Sequence, residues 1–103
     1  MWNILVVDDD FVNRKLILGI LEGHAHCDVA AGGKEAFEAF KAALADNKPY
    51  DVILLDVAMP DVDGIAVLRQ IRTFEESNGI LLGHGVPIIM VTAHKTTFMS
   101  SFN

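Results

Sequence analysis

The chain has 103 residues, eight Lys and Arg against fourteen Asp and Glu, a formal charge of −6 and one cysteine. That length holds one core of ordinary size and excludes two, so residues 1–103 are read as a single domain. A hydrophobic content of 51% beside 21% charged residues excludes intrinsic disorder, because enough apolar surface is present to offset the conformational entropy of folding. The acidic balance disfavours nucleic acid and anionic membranes, both of which need a basic face. Cys27 can form neither an internal disulfide nor a cysteine metal cage, which suits a reducing, cytoplasmic setting. Met1-Trp2-Asn3 has no basic leader, and the most apolar stretch, residues 80 to 93, is broken by Gly83, His84, Gly85 and Pro87. It is too short and too interrupted to span a bilayer.

Two hydrophobic periods alternate along the chain. Asn3-Ile4-Leu5-Val6-Val7 is a continuous apolar run, read as a strand buried on both faces, and it stops at Asp8-Asp9-Asp10. From Phe11 to Gly23 the apolar residues Val12, Leu16 and Ile20, with Ile17 and Leu21, recur at spacings of four, which predicts an amphipathic helix closed by Gly23. Cys27 to Ala31 is a weaker strand ended by Gly32-Gly33. Helical spacing returns over Lys34 to Leu44 through Ala36, Phe37, Phe40 and Ala43, and Asp46-Asn47-Lys48-Pro49 breaks it. Asp51-Val52-Ile53-Leu54-Leu55 is the strongest strand and ends in Asp56. A loop from Val57 to Gly64, a helix from Ile65 to Ser77 and a long glycine-containing connector then lead into the strand Pro87-Ile88-Ile89-Met90-Val91, followed by Thr92-Ala93.

This βαβαβαβ order with fully apolar strands predicts an α/β fold, a doubly wound parallel sheet with helices on both faces. Each βα unit takes 23 to 25 residues until the longer third one. Only a short tail follows the fourth strand, too short for a further unit of that kind.

Ligands of open α/β sheets bind outside the carboxyl ends of the strands. Those ends carry Asp8, Asp9 and Asp10 after the first strand, Asp56 after the third and Thr92 after the fourth. An aspartate beyond a strand is often a helix N-cap, and Asp10 has that place. Acids at the ends of two strands need a different account, since neighbouring central strands hold the carboxylates close enough to repel unless a cation neutralises them. An all-oxygen donor set without histidine or thiolate suits Mg²⁺.

With these residues in view, the sequence resembles the receiver domain of bacterial two-component response regulators. The resemblance runs through residues 4–10, Asn13-Arg14, residues 49–56, Met59-Pro60, Asp63-Gly64 and residues 87–93. Asn13-Arg14 and the long third connector look most like receivers attached to hybrid histidine kinases. The resemblance implies a flavodoxin-like sheet of order 2-1-3-4 with the fifth strand missing or replaced. It implies that Asp56 is the phosphoacceptor, that Asp8, Asp9, Asp56 and the main-chain carbonyl of Ala58 hold Mg²⁺, and that Thr92 is the switch hydroxyl. Thr92 otherwise reads as a β-branched residue ending a strand. Pro60 shapes the turn, and Asp61 and Asp63 read as solvated or capping acids.

Two departures from the receiver pattern stand out. The lysine and the aromatic residue that receivers carry on a fifth strand have no matching position. Lys95 reads as a solvated lysine and is not a substitute. His94 belongs near the mouth of the site or at an exposed helix start, and His24, His26 and His84 have no metal-ligand spacing.

Three functions follow. The first is a phosphoacceptor module of a phosphorelay, served by a histidine kinase or phosphotransfer protein, passing its signal to a downstream protein and not turning over as an enzyme. The second is a degenerate receiver-like interaction or dimerisation module, unphosphorylated because the lysine is absent. The third, a phosphohydrolase, is disfavoured by Ala58, where such enzymes want a second acid. Loss of a fifth strand predicts self-association through the fourth strand's edge or the C-terminal segment.

Overall fold

The computed structural model describes residues 1–57 and 64–91. Among them the chain forms β1 (Trp2–Val7), α1 (Phe11–Leu21), β2 (Ala25–Ala30), α2 (Gly33–Ala45), β3 (Val52–Asp56), α3 (Gly64–Ser77) and β4 (Ile88–Val91). The strands pair in parallel in the order β2-β1-β3-β4, as the alternating periods require. The expectation of a missing or replaced fifth strand falls on residues 92–103, outside the described residues.

The apolar runs became strands because both sheet faces are covered. On one face Leu5, Val7, Ile53 and Leu55 pack against Ala36 and Phe40 of α2 and Val67 and Ile71 of α3. Phe74 of α3 receives Phe37 and Phe40 of α2, each with ring centroids 5.8 Å away in an edge-on arrangement. On the other face Ile4, Val6 and Val52 pack against Ile17, Leu18 and Leu21 of α1. Each such fully buried aliphatic side chain contributes roughly 1.5–3 kcal/mol over leaving it in water.

Helix α1 differs from its sequence reading. Ile17, Leu18 and Leu21 turn inward, whereas Val12, Leu16 and Ile20 are 63%, 61% and 75% exposed, and Phe11 beside them is 61% exposed. The spacing of four described two apolar rows, and only one can face the sheet.

Helix ends are set by local chemistry. The Asp10 carboxylate accepts the Val12 and Asn13 N–H groups at 2.9 and 3.4 Å, so Asp10 is the N-cap of α1. Glu35 reaches back from the first turn of α2 to the Ala31 N–H at 2.8 Å, where the N-cap Gly32 has no side chain to offer. α2 closes with Asn47 at φ +58°, the Lys48 N–H bonding the Ala43 carbonyl and the Asn47 N–H bonding that of Leu44. Gly79, at φ +80°, ends α3 in the same way, through Ile80 to Glu75 and Gly79 to Glu76.

Register is fixed at both ends of the sheet. Asp51 and Asn3 clasp the entry of β3 to β1: the Asn3 N–H donates to the Asp51 carboxylate and the Asp51 N–H to the Asn3 carbonyl, each at 2.7 Å. Val7 stands opposite Ala30 on one side and Leu55 on the other, and Asp56 stands opposite Val91. Among the described residues no helix is long and apolar enough to cross a membrane.

Candidate functional site

The register carries Asp8 and Asp56 to the same end of the sheet. Val7 pairs with Leu55, so the residues following each leave two adjacent parallel strands side by side. Asp8 is 3% and Asp56 5% exposed, while Asp9 lies in solvent. One carboxylate oxygen from each of the three lies within 4.8 Å of the others.

Backbone bonds hold this cluster in place. The Asp8 N–H donates to the Ala30 carbonyl at 3.1 Å, tying the chain to β2 one residue past the β1 strand. The Asp8 carboxylate accepts the Asp10 N–H at 2.8 Å, which fixes its rotamer, and the Asp8 carbonyl accepts from the Arg14 guanidinium at 2.8 Å. Arg14 therefore reaches back from α1 and pins the loop that carries the acids. Asp10, used as a cap, is not one of the converging carboxylates.

On the β3 side the Val57 N–H donates to the Val91 carbonyl at 3.1 Å, continuing the ladder beyond Asp56. The Gly64 N–H donates to the Val57 carbonyl at 3.1 Å, so the start of α3 closes onto the residue after Asp56. A Cβ on Gly64 would stand 2.5 Å from the Asp56 carbonyl oxygen and 2.8 Å from the Val57 Cα. Real contacts of that kind are not found, so only glycine lets α3 begin this close.

Two buried carboxylates this near one another repel by on the order of 3 kcal/mol at an effective dielectric of about 20. A divalent cation removes that cost and is chemically suited to the donors. Mg²⁺ takes oxygens at about 2.0–2.1 Å in an octahedron, whose neighbouring and opposite ligands lie roughly 3 and 4 Å apart. One oxygen from each of the three carboxylates lies within 4.8 Å of the others, and the all-oxygen set fits a Mg²⁺ site.

Ala58 and Thr92, the other two residues expected at the site, lie outside the described residues, as do Met59, Pro60, Asp61, Asp63, His94 and Lys95. The three remaining histidines are not part of the acid cluster: His24 lies just before β2, His26 at its start and His84 in the connector before β4, whereas the acids lie at the carboxyl ends of β1 and β3. His26 lies on β2 with its Nε2 3.5 Å from the Asp28 carboxylate, both exposed. The Tyr50 hydroxyl donates to that carboxylate at 2.7 Å, and burial first, then Asp28, holds the phenol well above its ordinary range. Burial, with Asp28 second, also pushes the Cys27 thiol up, keeping it protonated. Sequence reasoning missed Arg14 as the brace of the acid loop and gave no steric reason for Gly64. The motif Asp63-Gly64 was the available signal for the second.

Comparison with known proteins agrees with this geometry. The family model described as the response regulator receiver domain matches residues 4–101. Histidine kinase CKI1 of Arabidopsis thaliana is 36% identical over 88% of this chain and 9% of its own length. The osmosensing histidine protein kinase SLN1 of Saccharomyces cerevisiae is 37% identical over 87% of this chain and 7% of its own. The chain thus spans less than a tenth of either relative. The crystal structure of the CKI1 receiver domain complexed with Mg²⁺ and BeF₃⁻ superposes with a TM-score of 0.75 at 32% identity, covering 90% of this chain and 66% of that one.

Substituting Gly64→Ala should cost about 1–3 kcal/mol, as overpacking of a closed site does. Urea denaturation measures it, and an unchanged midpoint would contradict the close approach described above.

Proposed function

The chain belongs to the response regulator receiver domain family, and on that footing we propose that Asp56 accepts a phosphoryl group from a histidine kinase or phosphotransfer protein. The observation that carries this reading is the convergence of Asp8, Asp9 and Asp56 within 4.8 Å at the strand ends. A carboxylate oxygen of Asp56 attacks phosphorus, the bond from phosphorus to the donor imidazole nitrogen breaks, and its electron pair stays on that nitrogen. Such transfers depend mainly on alignment and on neutralising the nonbridging oxygens. Asp8, Asp9, Asp56 and the Ala58 main-chain carbonyl would hold Mg²⁺, which would supply that neutralisation. Asp56 is well placed to be aligned, being buried at a strand end and closed in by Gly64. The Thr92 hydroxyl, one residue beyond the Val91 that pairs with Asp56, is assigned to a phosphoryl oxygen as the switch.

A protein-borne donor is favoured over a small metabolite. The exposed row Phe11, Val12, Leu16 and Ile20 follows directly on Asp8-Asp9-Asp10, so an apolar face runs on from the acid loop. A phosphohistidine-bearing protein covers such a face while delivering its imidazole to Asp56, and a small acyl phosphate leaves it in water. The chain acts as acceptor in a cytoplasmic phosphorelay, without turnover of its own, and hands its state to a downstream protein.

The second reading is an interaction module that is not phosphorylated. Intact-mass measurement after incubation with Mg²⁺ and a small acyl phosphate separates the two. A gain of one phosphoryl group by the wild type and none by Asp56→Asn is expected. No gain by either protein would sink the phosphoacceptor reading.

We also propose self-association through β4 or the C-terminal segment. Among the described residues β4 is an outer strand of four uncharged residues, with Ile89 half-exposed. The other edge, β2, carries His26 and Asp28, the kind of charge that blocks edge pairing. Light scattering at high micromolar concentration should give a dimer that Ile89→Lys weakens. A clean monomer would contradict it.

A further inference from the structure

Glu75 is a buried acid that the chemistry above does not use. It lies near the end of α3, 4% exposed, on the helix face that also buries Val67 and Ile71. One carboxylate oxygen accepts from the Arg72 guanidinium at 2.7 Å, and the other accepts the Val86 N–H at 2.7 Å. The Glu75 main-chain carbonyl also accepts the Ile80 N–H at 2.9 Å, so this one residue bonds both the start and the end of the connector joining α3 to β4.

Gly85 makes room for the arrangement. A Cβ there would overlap the Glu75 carboxylate and the Arg72 guanidinium. The ion pair therefore lies directly against the backbone that enters β4. A buried carboxylate is costly to desolvate, and an ion pair of this kind is often no more stabilising than an apolar replacement. What it supplies is a fixed anchor point: the Val86 N–H has a defined partner two residues before β4 begins.

That anchor is relevant because, besides its ladder to β3 and the packing of Ile88 and Met90 on the core, it fixes where β4 begins. The strand is four residues long and, among the described residues, pairs only with β3. Its register is set by the Ile53 N–H on the Pro87 carbonyl at 2.9 Å, immediately after the anchored Val86, and it ends with Val91 opposite Asp56. A slip of one residue would turn every β4 side chain to the opposite face and remove Val91 from Asp56.

We propose that Glu75 is a positioning residue for the phosphoacceptor site, its carboxylate fixing the entry of β4 and thereby the strand end that flanks Asp56. This rests on the phosphoacceptor reading for its kinetic consequence, while its structural consequence can be measured without phosphorylation.

The experiment compares wild type, Glu75→Gln, Glu75→Leu and Gly85→Ala in the full chain. Amide hydrogen exchange at residues 88–91, Mg²⁺ affinity and the rate of Asp56 phosphorylation by a small acyl phosphate are measured. Losing a hydrogen bond to a charged group corresponds to about tenfold or more in an opening equilibrium, so Glu75→Leu should speed exchange in β4 by at least that factor and should also slow phosphorylation. Exchange in β1 and Mg²⁺ affinity should stay at the wild-type level, because Asp8 and Asp9 follow β1 and β3 is paired with β1 up to Leu55, the residue before Asp56. Glu75→Gln keeps an acceptor for the Val86 N–H and should restore most of both losses. Gly85→Ala crowds the carboxylate without removing it and should repeat the Glu75→Leu pattern, which covers the case in which the leucine variant does not fold. Unchanged β4 exchange in both Glu75→Leu and Gly85→Ala would overturn the proposal, as would parallel changes in β1 exchange and Mg²⁺ affinity. If the wild type is not phosphorylated, the function proposed above fails, while β4 exchange still decides whether Glu75 anchors the strand.

Discussion

The mutual repulsion of Asp8, Asp9 and Asp56 is the constraint around which the rest of this structure is arranged. Nothing about a parallel sheet requires acids at the ends of two adjacent strands, and two of these are buried. Ionised carboxylates in that setting are tolerable only if the backbone prevents them from moving apart and a cation is available to neutralise them. The first condition is visible in how the surrounding residues are used, and the donor chemistry suits the second. Arg14 and the Asp10 N–H brace the β1 side, the Val57 and Gly64 N–H groups brace the β3 side, and the donor set is the one that Mg²⁺ prefers.

The same constraint explains why the site is rigid where it holds charge and built from short pieces around it. β1 and β3 are central, paired on both sides and packed between α1 on one face and α2 and α3 on the other. β4 is short and lies outermost among the described residues. Its ladder to β3 holds it laterally, and in the connector before it the buried Glu75 carboxylate accepts the Val86 N–H.

The fold was legible because its signals are strong in a single sequence. Continuous runs such as Ile4-Leu5-Val6-Val7 and Val52-Ile53-Leu54-Leu55 can be buried on both faces only in a covered parallel sheet. The acids were legible for the same reason: they interrupt those runs abruptly at strand ends, and the resemblance to receivers gave them roles. The facing of α1 was not legible. Two rows, Val12-Leu16-Ile20 and Ile17-Leu21, have the same period and similar hydropathy, and only packing against Ile4, Val6 and Val52 decides which turns inward. Glu75 was hidden by its type, since an acid in a helix reads as solvent-facing until the Val86 N–H is seen to bond it. Gly64 stood in a motif, but its steric reason, the carbonyl of Asp56, is a long-range contact that no local pattern carries.

The most direct measurement is urea denaturation of wild type and Asp8→Asn in chelator and in Mg²⁺. Without the cation, Asp8→Asn should be at least as stable as wild type, because it removes one of the repelling charges and keeps an oxygen for the Asp10 N–H. With Mg²⁺ at about a hundred times its dissociation constant, the wild type should gain about 2.7 kcal/mol and the variant far less, reversing their order. Equal destabilisation of Asp8→Asn in both conditions would contradict a cation site formed by these acids.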